Sequence, residues 1–119
     1  TITYKNKKIT PEKATKLIKG KKISLIYDTS KNPNTIKIAQ NADLLITEST
    51  YSSNLEDKAK EYSHLTSQQA AEIAKKAKVK QLILTHFSQR YKDTSSFLKE
   101  AKEIFKNTKI ANDFLTVEV

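Results

Sequence analysis

Three short apolar runs in this 119-residue chain each end in a residue able to do chemistry. Residues 23–27 lead into Asp28-Thr29, Leu44-Leu45-Ile46 into Thr47-Glu48, and Leu82-Ile83-Leu84 into Thr85-His86. Carboxylates and imidazoles serve as proton carriers and as ligands for divalent cations. There is no cysteine, so disulfides and thiolate ligands are both excluded. A metal site must therefore use His, Asp or Glu, a donor set suited to ions such as zinc or manganese. The other of the two histidines, His64, stands two residues before Thr66, which pairs with Gln69 in a capping-box signature. A helix start favours phosphate, and a histidine there can act as a general acid or steady a negative phosphoryl group. Each residue also has a plainer reading. Asp28 and Glu48 can cap turns, His86 can be a satisfied core histidine, and His64 an exposed loop histidine.

The elements that would position these groups follow from periodicity. The three apolar runs read as strands buried on both faces, because they are short and continuous. In 67–78, Ala70, Ile73, Ala74 and Ala77 recur at helical spacing, and in 95–106 Phe97, Leu98, Ala101, Ile104 and Phe105 form one stripe. Thr10-Pro11 predicts a helix near 11–19 closed by Gly20, the single glycine. Asn32-Pro33-Asn34 breaks the chain before a brief helix near 34–41. Strands are expected at both ends, over Ile2–Tyr4, 108–111 and 115–119. The stretch 48–65 lacks clear periodicity and is long enough to suspect a functional loop. Alternating strands and helices imply an α/β layered sandwich. In open α/β sheets sites gather beyond the carboxyl ends of strands, so three chemically competent ends, on the edge where both histidines fall, point to one site. With helices on one side, this half-sheet is expected to need a second sheet over it. Residues 1–119 read as a single segment without repeat or linker.

The formal net charge is +9, from 22 Lys+Arg against 13 Asp+Glu. That favours a polyanionic partner, although lysine spread through every segment also serves solubility. The one arginine, Arg90, lies four residues after His86 and suits bidentate phosphate contact. No apolar run approaches the roughly 20 residues that span a bilayer, so no membrane association is expected. No signal-peptide pattern opens the chain, though a start at Thr1 need not be the true N-terminus. A cytoplasmic protein is the default.

Four segments in order resemble the C-terminal region of the ribonuclease Z family, within the metallo-β-lactamase superfamily. They are Tyr27-Asp28-Thr29, residues 42–50 with Thr47-Glu48-Ser49-Thr50, Ser63-His64-Leu65-Thr66 followed by Gln69-Ala70-Ala71, and residues 84–91 with Thr85-His86-Phe87-Ser88-Gln89-Arg90-Tyr91. The resemblance runs from about Lys7 to Val119. It implies the C-terminal half of an αββα sandwich and a zinc-dependent endoribonuclease that removes the 3′ trailer from precursor tRNA. Asp28 then resembles the carboxylate bridging two Zn2+ ions, and His86 the last histidine ligand. His64 resembles a non-ligand histidine that assists the leaving group or transition state, and Glu48 the glutamate that holds it. Ser88 and Arg90 fit a loop where substrate phosphate is contacted. Two such ions a few ångströms apart activate water and clamp the scissile phosphate, while a carboxylate–histidine pair fixes ring orientation. The resemblance also implies a homodimer.

This chain departs from the family pattern at Tyr27 and Ser63, where glycines are usual, and at Thr47, Ser49 and Leu65. These positions touch backbone freedom and packing, not the reacting groups. The family's His-x-His-x-Asp-His motif is not in this chain. Two ligands cannot hold two ions, so the 119 residues alone are expected to be inactive, with the N-terminal half of the enzyme supplying the remainder. Two other readings stay open: a non-catalytic basic module binding RNA or protein, and a different hydrolase of the same fold. A Gly-x-Ser-x-Gly elbow is absent from this chain with one glycine, which argues against a serine hydrolase.

Overall fold

The computed structural model describes all residues 1–119. Its centre is a four-stranded parallel sheet in the order β3-β4-β5-β6, formed by Ile23–Ile26, Leu44–Glu48, Leu82–Thr85 and Thr108–Ile110. Register pairs Ser24 with Leu45 and Leu45 with Leu82, and Ile26 with Thr47 and Thr47 with Leu84. Side chains alternate across a strand, so these residues share one face. Three helices cover it: α2 (Pro33–Ala39), α4 (Ser67–Lys76) and α5 (Ser95–Ile104), with α4 packed on α5, β4 and β5. Leu45, Leu65, Ile73, Leu82, Leu84 and Phe97 are fully buried there. Each such side chain contributes roughly 1.5–3 kcal/mol by leaving water.

The helix starts are set locally. The Asn32 side chain accepts from Asn34 N, with Pro33 in the first turn. Thr66 and Gln69 form the reciprocal capping box expected from the sequence.

Several expectations need correction. β3 is buried on one face only: Ser24 and Ile26 face the helices, while Ile23 and Leu25 are 55% and 57% exposed on the other side. The reason is that this side of β3 has no covering layer, which fits a sheet that needs a second one. The helix near 11–19 is only α1, Pro11–Ala14. It has no buried residue, and a four-residue helix without packing cannot propagate. Gly20 does not cap it, since no glycine has positive φ. Residues 48–65 are not an open loop: a 3₁₀ turn, Ser53–Leu55, leads into α3, Glu56–Glu61, anchored by buried Ala59. Residues 115–119 form no strand.

The N-terminal hairpin, β1 (Ile2–Tyr4) with β2 (Lys7–Ile9), is exposed throughout except at Ile9. The molecule is accordingly elongated, 72 × 29 × 22 Å, with a radius of gyration of 19.7 Å. A compact chain of this length would have roughly 13–14 Å. The sheet and its helices thus form the only packed body, and its carboxyl edge is where the polar groups converge.

Candidate metal and phosphodiester site

Beyond the carboxyl ends of β3, β4 and β5, three side chains from separate loops meet. Asp28, His64 and His86 each offer a ligand atom within 4.8 Å of the others. Asp28 Oδ1 lies 3.6 Å from His86 Nε2, and the two imidazole centroids are 5.5 Å apart. Asp28 and His86 both adopt positive φ, 46° and 58°. Aspartate and histidine tolerate that region better than most residues, and it turns each side chain off its strand toward the cluster.

Glu48 organises this group. It is fully buried at the end of β4 and accepts four hydrogen bonds. Oε1 takes Thr29 N at 2.6 Å; Oε2 takes Thr50 Oγ1 at 2.8 Å, His64 Nδ1 at 3.0 Å and Leu65 N at 3.1 Å. A buried carboxylate with this many donors is satisfied without a lysine or arginine partner.

The proton positions follow by elimination. An ionised carboxylate only accepts, so His64 Nδ1 carries the proton and Nε2 is its free nitrogen. Thr50 has one hydroxyl proton and gives it to Glu48. The contact of 3.1 Å between Thr50 Oγ1 and His86 Nδ1 then requires Nδ1–H on His86, so in the neutral ring Nε2 is the bare nitrogen facing Asp28. One glutamate therefore sets both rings in the same tautomer, His64 directly and His86 through Thr50.

The donor set fits a divalent cation. With both rings neutral it presents two bare imidazole nitrogens, one on each histidine, and an Asp28 carboxylate that is 75% exposed and unspent on hydrogen bonds.

The loop after His86 is held from beneath. Phe87 and Tyr91 meet Phe97 edge-on at 5.1 and 4.7 Å, Ser88 N donates to Thr50 O, and the Tyr91 hydroxyl lies 3.0 Å from Ser52 Oγ. Ser88 and Arg90 do not join the three-residue group. Ser88 Oγ accepts a long 3.5 Å contact from Arg90 N, and the Arg90 guanidinium lies over the Tyr51 ring.

The expectation that phosphate would sit on the start of α4 is not supported. Leu65 N, Thr66 N, Ser67 N and Gln69 N donate to Glu48, Gln69, Tyr51 and Thr66 respectively, so those N–H groups are spent on the protein. His64 also lines a polar cavity of about 410 Å3 with Ser30, Lys31, Glu56, Asp57, Lys60 and Gln69.

Against known proteins, the whole chain is 44% identical to ribonuclease Z of Archaeoglobus fulgidus, covering 40% of that relative. Over 82% of its length it is 52% identical to ribonuclease Z of Protochlamydia amoebophila, covering 32% of it. This chain is a relative of ribonuclease Z, matching its C-terminal portion. Human tRNase Z, short form, superposes on 83% of the chain with a TM-score of 0.65 and 38% identity, over 34% of that protein. The metallo-β-lactamase fold protein YhfI of Bacillus subtilis gives a TM-score of 0.65 at 32% identity, over 73% of the chain and 36% of that protein. The sheet and helices are thus part of a metallo-β-lactamase fold. No protein-family model matches the chain. The chain spans about a third to two-fifths of the length of these curated ribonuclease Z relatives.

Sequence reasoning missed Thr50. It lies two residues after Glu48, on the same side of an extended segment, and that period-2 spacing was the available signal. Glu100 was missed as well: it binds Ser53 N at 3.0 Å, Ser53 Oγ at 2.6 Å and Ser67 Oγ, tying the 3₁₀ turn to α4 and α5. Such a long-range partner has no local signature. The departures at Tyr27, Ser63 and Leu65 also resolve. Leu65 fills the core, Tyr27 has no left-handed backbone, and Ser63 does, with φ 59°.

Proposed function

We propose that this chain supplies part of the centre of a zinc-dependent endoribonuclease that removes the 3′ trailer from precursor tRNA. The observation that carries this is the arrangement around Glu48, which leaves two bare imidazole nitrogens beside a free Asp28 carboxylate. Similarity to ribonuclease Z supplies the substrate class. In this reading Asp28 and His86 Nε2 are metal ligands. The remaining ligands lie in the N-terminal half of the enzyme, which this chain does not represent, and the 119 residues alone are inactive. Bound Zn2+ would supply charge to draw the scissile phosphate and to acidify water.

The residues of this chain do the rest. Glu48 keeps one proton on Nδ1 of His64, so a second proton taken up from solvent at Nε2 can pass to the oxygen leaving the phosphate, which returns the ring to its neutral form. Arg90 and Ser88 steady phosphate near the loop after His86. The +9 charge raises the local concentration of RNA. A cytoplasmic homodimer belongs to the same reading and rests on the resemblance.

A second reading is favoured by the shared 4.8 Å grouping: His64 is itself a ligand, oriented by Glu48 as metal-binding histidines often are by carboxylates. Variants of the intact protein separate the two. Asp28→Ala and His86→Ala should each abolish metal binding and cleavage of precursor tRNA, and retained cleavage would rule out their assignment as ligands. His64→Ala should keep its metal and lose cleavage; loss of metal would instead make His64 a ligand. Salt-sensitive RNA affinity with no metal in any variant would support a non-catalytic binding module.

A further inference from the structure

Arg90 is the only arginine of the chain, and its guanidinium has no carboxylate partner and no hydrogen bond. It is nevertheless placed. Its central carbon lies 5.5 Å from the centroid of the Tyr51 ring, within cation–π range. Tyr51 is only 8% exposed, and its ring meets His64 in an edge contact at 6.2 Å. The Tyr51 backbone is pinned on both sides, by Tyr51 N to Leu65 O and Ser67 N to Tyr51 O. The platform is therefore rigid, while Arg90 itself is exposed.

We infer that Tyr51 is a positioning residue, whose ring touches His64 and also holds the Arg90 guanidinium, so that the arginine's donors meet a phosphate of the RNA strand next to the cut. An exposed arginine without a platform loses several rotamers when it binds, which weakens its hold on phosphate. A ring under the guanidinium fixes the fork in advance and leaves all of its N–H groups for the ligand. Tyr51 touches no substrate in this scheme; it acts through Arg90. The inference rests on the RNA-cleaving reading, so its test has one arm independent of activity.

That arm is chemical. In the intact protein, phenylglyoxal modification at Arg90, followed by peptide mass spectrometry, should be slow in the parent and in Tyr51→Phe, and several-fold faster in Tyr51→Leu. Equal rates would overturn the contact. The functional arm uses isosteric rings. Phenylalanine and its mono- to trifluorinated analogues at position 51 keep the packing but progressively weaken cation–π attraction. KM for precursor tRNA should climb along the series, reaching roughly threefold to tenfold, with kcat nearly constant. In an Arg90→Lys background the same series should be flatter, because a lysine gains less from a planar platform. A flat series in the parent would overturn the role of Tyr51, since a structural ring ignores fluorination. Absence of cleavage in the parent itself would defeat the RNA reading, while the modification arm still decides whether Tyr51 holds Arg90.

Discussion

The two edges of the central sheet each carry a carboxylate that ties strand ends together, and they do so by different physics. At the carboxyl edge Glu48 is fully buried and takes two backbone N–H groups, a hydroxyl and an imidazole. At the amino edge Asp43 accepts Lys22 N at 2.8 Å and Lys80 Nζ at 2.6 Å, the latter from a side chain 72% exposed. Glu48 joins four groups, two of them (Leu65 N and Thr50 Oγ1) in buried residues, so its loss leaves buried polar atoms unpaired. Asp43 joins a lysine that remains in water with or without it. The edge built from directional donors around a buried acceptor is the one where side-chain geometry is fixed, and it is the edge with chemistry. The amino edge also lines a polar cavity with Lys19, Lys21, Lys78 and Lys80, but nothing there fixes a tautomer or a rotamer.

Removing Glu48 is the strongest way to break this contrast. Glu48→Ala strands four donors, of which Leu65 N and Thr50 Oγ1 are in buried residues. At about 1–3 kcal/mol for each unsatisfied buried group, partly relieved by water, the loss should reach roughly 3–5 kcal/mol. That is a large share of a domain's usual stability. Denaturant unfolding of the intact protein measures it, and a loss below about 1 kcal/mol would show that Glu48 is not the hub. Glu48→Gln should cost less. It keeps an acceptor for Thr29 N, while its amide meets donors where Oε2 stood.

Much of the carboxyl edge was legible because residue type announces it. Asp28, Glu48 and His86 close three apolar runs, and the capping box at Thr66 has a local pattern. The rest depended on contacts between distant segments or on backbone angle. α3 buries only Ala59, too little for a periodic stripe. Thr50 matters only because His86 comes to lie against it. The two glycine departures look alike in sequence, yet Ser63 is left-handed and Tyr27 is not. This makes the next prediction specific. A left-handed serine carries roughly 1–2 kcal/mol of strain, of which glycine's greater unfolded freedom returns part. Ser63→Gly should therefore stabilise by about 0.5–1 kcal/mol, read as a higher urea midpoint with unchanged slope. Tyr27→Gly should not stabilise, since its backbone has no strain to relieve and the side chain's contacts are lost. Equal gains at both positions would refute the backbone argument.

The smallest effect is expected at the amino edge, where pH is the sharper probe. The Lys80 hydrogen bond, then the Lys22 N–H, hold the Asp43 carboxyl at about 2, below its ordinary 3.8. A carboxylate depressed on folding stabilises the folded form above its unfolded value, and that contribution is lost as pH falls through its folded value. For Asp43 it is present above about pH 4 and vanishes near pH 2. Lys80→Ala should raise the Asp43 value toward normal, with the Lys22 N–H preserving part of the shift. The difference in stability between parent and variant should then be small near neutral pH, constant down to about pH 4, and should close by about pH 2. High salt should shrink it, because the lysine is exposed. A salt-insensitive difference that persists below pH 2 would mean the amino edge is built like the carboxyl edge, by fixed hydrogen bonds, and the contrast between them would fail.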